Sequence, residues 1–254
     1  MFFPKPGQRY SDGDTSRYSL DGDGFIDFVT KFKYLGSLLT PDLTATPDVD
    51  SRIKSASAAF AQLRHVFRNH AVTPATKGTI YDAIITSTLL YGCETWNLLA
   101  ADLRRLRTFH RRCVREIFRV STRQTWKDRI KSSELNALLG VRNLEDSYRD
   151  RLLRWVGKLC RMPLTRLPRL LMTSWVEHPR RRGGQLKTWG RTVTTALRKC
   201  GAPTTFRKWN ALAQAKAAWR QATRSSLPQP PPDPKKRSIL NGRKIHRKPT
   251  QQRT

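Results

Sequence analysis

At 254 residues the chain can hold one large domain or two small ones. Its 49 Lys and Arg against 19 Asp and Glu leave a net charge of +30. A balance this basic points to a polyanionic partner, nucleic acid before a membrane surface. No apolar run nears the roughly 20 residues that a spanning helix needs. The start of the chain lacks a basic-then-apolar signal. Four cysteines at 93, 113, 160 and 200 are too scattered for a disulfide framework, which suits a nuclear or cytosolic setting.

The charge is uneven. Residues 1–47 hold five basic and six acidic residues, and the rest hold 44 and 13. The footprint for a polyanion therefore begins near residue 48 and carries +31. Residues 1–24 are rich in Gly, Asp, Ser and Pro and are expected to form a flexible leader. Asp21-Gly22-Asp23-Gly24 is a turn signal. It partly imitates a calcium loop, but Ser19 and Thr30 stand where the first ligand and the bidentate carboxylate belong. Phe25–Val29 and Phe32–Leu38 read as two strands of a small β-hairpin within residues 25–45.

Helical periodicity follows. Thr46-Pro47 is a start signal, with Val49, Ile53, Ala56, Phe60, Leu63 and Phe67 on one face as far as Asn69. Thr73-Pro74 starts a second helix, whose apolar or small face is Ile80, Ala83, Ile84, Ser87 and Leu90. A third, from about Ala100 to Val120, buries Leu103, Leu106, Phe109 or His110, Cys113, Val114, Ile117 and Phe118. Its other surface carries Arg104, Arg105, Arg107, Arg111, Arg112, Arg115 and Arg119 with Glu116 alone to balance them. Like charges at that spacing repel, so a phosphate backbone is the expected partner. Residues 46–122 are read as one helical domain and 123–223 as a second, basic one. The second has short helices over Trp126–Leu139 and a helix over Leu144–Arg161 bearing Arg149, Arg151 and Arg154. Further helices are expected over Lys187–Lys199 and Thr204–Thr223. Arg180-Arg181-Arg182-Gly183-Gly184 reads as a phosphate clamp. Residues 224–254 are Pro-rich and basic and are expected to be disordered. Lys235-Lys236-Arg237 and Arg243–Lys248 resemble a nuclear-import or nucleic-acid patch. The fold class is mainly α, a bundle-like helical array behind a small hairpin.

Leu90-Tyr91-Gly92-Cys93-Glu94-Thr95-Trp96 ends the second helix. It reads as core, with Gly92 at a helix end and Trp96 as anchor, because Cys93 has no local base. His110 and Cys113 have the gap of a zinc half-site without a second ligand pair, so no metal is assigned. Trp189 and Trp209 could stack on bases, although tryptophan at helical spacing is more often core.

Several motifs occur in one order: Phe32-Lys33-Tyr34-Leu35-Gly36-Ser37; Arg52-Ile53 with Phe60; Leu90–Trp96; Cys113-Val114-Arg115-Glu116-Ile117; Leu153-Arg154-Trp155-Val156-Gly157; and Arg181-Arg182-Gly183-Gly184 before Trp189. Over residues 25–200 this set resembles the C-terminal part of LINE-type (non-LTR) retrotransposon reverse transcriptases. The resemblance implies a thumb and downstream basic region that grip a template–primer duplex, RNA–DNA or DNA, with Lys33 beside the primer and a polymerase palm as neighbour. It implies a core holding Tyr34, Leu35, Phe60, Leu90, Tyr91, Trp96 and Trp155. No Asp-Asp pair occurs in the sequence, and two-metal chemistry needs paired carboxylates. The expectation is therefore a nucleic-acid-binding piece with no cofactor and no catalytic residues of its own. The alternatives are one part of a longer active polymerase and a domesticated scaffold module.

Overall fold

The computed structural model describes residues 17–19, 25–27, 29–40, 44–173 and 188–224. The protein is mainly α. Two antiparallel hairpins stand at the N-terminal end. β1 (Arg17–Ser19) pairs with β2 (Phe25–Asp27) in the register Tyr18 opposite Ile26. β3 (Phe32–Tyr34) pairs with β4 (Ser37–Leu39), Lys33 opposite Leu38. The expected hairpin of Phe25–Val29 on Phe32–Leu38 is thus replaced by two local ones. The reason lies in Leu35 and Gly36, whose φ values of 45° and 86° make a two-residue turn inside the stretch read as one strand.

Twelve α-helices follow among the described residues. α1 (Thr46–Gln62) and α2 (Arg64–Arg68) bury Val49, Ala56, Phe60 and Phe67, as the periodicity predicts. Thr46 is the first residue of α1 and not its cap: its hydroxyl donates to Asp102 Oδ1 at 2.9 Å. α3 (Pro74–Ile80) is capped by Thr73, whose side chain accepts from the Thr76 amide. A π-helical segment (Tyr81–Thr86) and α4 (Ser87–Leu89) continue it. The wider π turn re-phases the helix. Tyr81, Ile85 and Leu89 are fully buried, whereas Ile84 of the expected face is exposed.

After a 3₁₀ turn (Cys93–Thr95) come α5 (Ala100–Ile117), α6 (Thr122–Lys127), α7 (Ser132–Leu139) and α8 (Leu144–Cys160). α9 (Leu167–Thr173), α10 (Trp189–Lys199), α11 (Phe206–Gln214) and α12 (Lys216–Thr223) complete the described chain. The helix expected over Thr204–Thr223 is two, broken at Ala215, which has extended backbone.

Two apolar cores meet along α8. The first is built by α1 to α5 and α7, with Val120, Ile130 and Val141 from the connections, and closes on Leu144. The second joins Leu152, Leu153, Val156 and Cys160 of α8 to Val193, Leu197, Trp209 and Trp219. The packing therefore divides inside α8, because α7 leans on α3 and α5 of the first core. Close approach fixes the second core: a Cβ on Gly157 would stand 2.4 Å from Trp219 Nε1, and that nitrogen donates to Leu153 O at 2.9 Å.

Asp48 locks the first core to the hairpin. It is buried in the first turn of α1. It accepts from Trp96 Nε1 at 2.8 Å and from the Leu38 amide at 3.0 Å, with Arg52 Nε 3.6 Å away. Trp96 is accordingly core. Tyr34, Leu35 and Tyr91 are not: they are 58%, 77% and 50% exposed. Only β4 leans on α1, so the outer strand and the turn face solvent. The Tyr91 hydroxyl donates to Leu35 O at 3.2 Å, and its ring lies under the Arg52 guanidinium at 4.5 Å. Trp155 is half-buried, with Lys158 over its ring at 5.6 Å, because Leu152, Leu153 and Val156 take the inward positions of α8.

Candidate nucleic-acid interface

α5 sorts its arginines by angle around the helix. Leu106, His110, Cys113, Val114 and Ile117 form the buried stripe, three and four residues apart. Opposite them, Arg104, Thr108, Arg111, Arg112 and Arg115 fall at i, i+4, i+7, i+8 and i+11, which is one face. The flanks of that face are neutralised. Arg105 pairs with Asp50 of α1. Arg107 pairs with Glu145 of α8 at 2.6 Å. Glu116 takes Arg64 at 3.0 Å and Arg68 at 3.8 Å. The centre is left bare. Arg104, Arg111 and Arg112 are exposed and, among the described residues, have no ion pair or hydrogen bond.

Two clefts border this face. At the C-terminal end Arg68, Arg115, Arg119, Glu116 and Ser121 line a cleft of about 500 Å³. Arg119 has a left-handed backbone, φ 54°, and its guanidinium donates to Arg68 O at 2.9 Å. The second cleft, about 570 Å³, is lined by Arg107, His110, Arg111, Lys131, Asn136 and Asn143 among others. The carboxylates at both clefts are already engaged: Glu116 and Glu145 by the arginines above, Asp146 by Arg149 at 2.8 Å. The surplus charge of each cleft is therefore positive.

The expected basic residues divide accordingly. Arg104, Arg111, Arg112 and Arg115 share the α5 face. Arg105 is exposed but spent on Asp50. Arg149 and Arg151 are half-buried and structural. Arg149 holds Asp146, and Arg151 donates to Leu90 O and Ser87 Oγ, both at 3.4 Å. Arg151 thereby ties α8 to α4, whereas Arg149 pairs along its own helix. Arg154, one turn further, is exposed. Lys33 is exposed on β3, a separate element. Arg180, Arg181 and Arg182 lie outside the described residues, as does the tail from 225. Trp189 and Trp209 are packing residues. Trp189 Nε1 donates to Glu94 O at 2.8 Å, and Trp209 is buried against Trp219 and Phe206.

The nucleophile candidates are buried. All four cysteines are free. Burial pushes the Cys93 thiol far up, with Glu94 adding to it, and pushes Cys113 up to about 12. A thiolate is the reactive form, so neither offers a nucleophile near neutral pH. His110 is buried, and its Nδ1 lies 3.0 Å from the Tyr81 hydroxyl. Burial lowers its pKa to about 4, opposed by the neighbouring Asn136 amide. Among the described residues no three His, Cys, Asp or Glu side chains converge as metal ligands, and no helix is long and apolar enough to cross a membrane.

No protein-family model matches the chain, and no solved structure matches it significantly. An uncharacterized transposon-derived protein of Caenorhabditis elegans is 24% identical over 150 residues, 59% of this chain and 53% of that protein. The likeness is to a transposable-element product. The chain spans about half the length of this curated relative.

The structure adds residues that the sequence did not single out. Asp50 and Glu145 decide which α5 arginines stay free, and Arg68 and Lys131 help build the clefts. Their partners lie 55 and 38 positions away from Arg105 and Arg107, beyond any helical-spacing rule.

Proposed function

We propose that this chain is the duplex-gripping, thumb-side portion of a LINE-type reverse transcriptase. It binds RNA–DNA or DNA duplex through phosphates, without reading base sequence and without a polymerase centre of its own. One observation carries the reading: Arg104, Arg111 and Arg112 stand bare at the centre of a face whose flanks are neutralised by neighbouring helices. Cations left unpaired at that spacing repel one another, and a phosphate backbone is the partner that removes the repulsion. The transposon-derived relative supports the lineage, and the ordered motifs of residues 25–200 support the reverse-transcriptase assignment.

Binding of this kind releases counterions, so affinity falls linearly with salt on logarithmic axes. Titrating a duplex of arbitrary sequence from 50 to 200 mM salt should weaken binding by about a thousandfold if some six phosphates are contacted. Affinity that holds constant across that range rules the grip out.

A second reading keeps the same module inside a longer polymerase, since the relative extends well beyond the matched region. An in-frame Asp-Asp motif in the DNA upstream of Met1 would support it. Unrelated sequence there would count against it.

A further inference from the structure

Trp126 is 85% exposed, more than any other large hydrophobic residue described. It stands on α6, a six-residue helix directly after α5. No other large apolar side chain between Arg119 and Ile130 is exposed. Its neighbours Arg123, Lys127 and Arg129 are exposed and basic. A protein-docking surface needs a contiguous apolar patch, which this is not. A lone indole among cations fits the flat face of a nucleobase on a polyanionic strand.

The local fold puts a basic cleft beside it. Ser121, the residue that caps α6 by accepting from the Gln124 amide, also lines the cleft of Arg68, Arg115 and Arg119. Five helical residues separate Ser121 from Trp126, roughly 7.5 Å along the axis. A strand whose phosphate enters the cleft can set a base of a neighbouring nucleotide on the ring. Base pairs inside a duplex are already stacked and offer no free face, so the ring selects an unpaired base.

We infer that Trp126 is a stacking platform for an unpaired nucleobase, at a single-stranded extension or junction of the gripped duplex. The inference rests on the duplex-grip reading and adds a substrate feature to it. Stacking on an aromatic side chain makes a difference of about tenfold in affinity per base.

The test compares the full chain and its Trp126→Ala and Trp126→Phe variants on a blunt duplex and on the same duplex with a single-stranded extension. The ring is solvent-exposed, so both variants keep the fold. The expected result is tighter binding of the extended duplex, by about tenfold, abolished in Trp126→Ala and largely kept in Trp126→Phe. Equal binding of the two duplexes by the parent chain overturns the platform and leaves the grip standing. So does an equal loss on both duplexes in Trp126→Ala, which places the ring against paired nucleic acid. Failure of the parent chain to bind either duplex at low salt overturns both readings.

Discussion

Replacing Asp48 with alanine strips the acceptor from two donors at once, the buried Trp96 indole N–H and the half-buried Leu38 amide. Each orphaned donor costs about 1–3 kcal/mol, so Asp48→Ala should lower unfolding stability by about 3 kcal/mol in a urea titration. His110 makes the protein acid-sensitive. Its pKa is about 4 when folded against about 6.5 unfolded. The unfolded chain therefore binds the extra proton between those values, and stability falls as pH drops through that window. The loss should approach 3 kcal/mol near pH 4, and His110→Gln should flatten that part of the stability–pH curve. Trp96 could be read as core from its apolar lead-in. Asp48 could not, because an acidic residue in a first helical turn looks like an ordinary partner of the helix dipole. Tyr34 and Leu35 misled because aromatic and branched residues on a short hairpin carry strand character whether or not anything covers them, and Tyr91 because it directly follows the buried Leu90.

The elements themselves were largely legible. α1, α2, α5 and α8 follow the three- and four-residue spacing of their apolar side chains, and Thr73 caps α3 as its sequence suggests. Two things were hidden. The π segment Tyr81–Thr86 shifts which side chains point inward, and no residue type announces it. The sorting of the α5 arginines depends on acids from α1 and α8. That sorting has a consequence for mutants. Arg105→Ala removes one exposed ion pair and should change stability by less than about 1 kcal/mol. It should also weaken nucleic-acid binding far less than Arg111→Ala, measured on the same duplex. Gly157→Ala belongs to the second core. A methyl there must displace the Trp219 indole, which should cost about 1–3 kcal/mol by overpacking, read from the denaturation midpoint.

At the scale of the molecule, the +31 after residue 47 is not spread evenly in effect. Arg52, Arg142, Arg149, Arg151 and Arg161 hold carbonyls or carboxylates inside the fold, and the flank residues of α5 hold neighbouring helices. Among the described residues, Arg104, Arg111 and Arg112 are left bare on one helical face bordered by two basic clefts. Composition alone points to a polyanion; the packing of α1 and α8 around α5 says which α5 arginines are left unpaired for the proposed one. The account stands or falls on that face. The most direct measurement is the salt dependence of duplex affinity for the full chain and for its Arg104→Ala/Arg111→Ala/Arg112→Ala variant. Each lost phosphate contact lowers the logarithmic slope by about 0.9, so the variant should bind more weakly and lose about 3 units of slope. A variant that keeps both the slope and the affinity of the parent would contradict it.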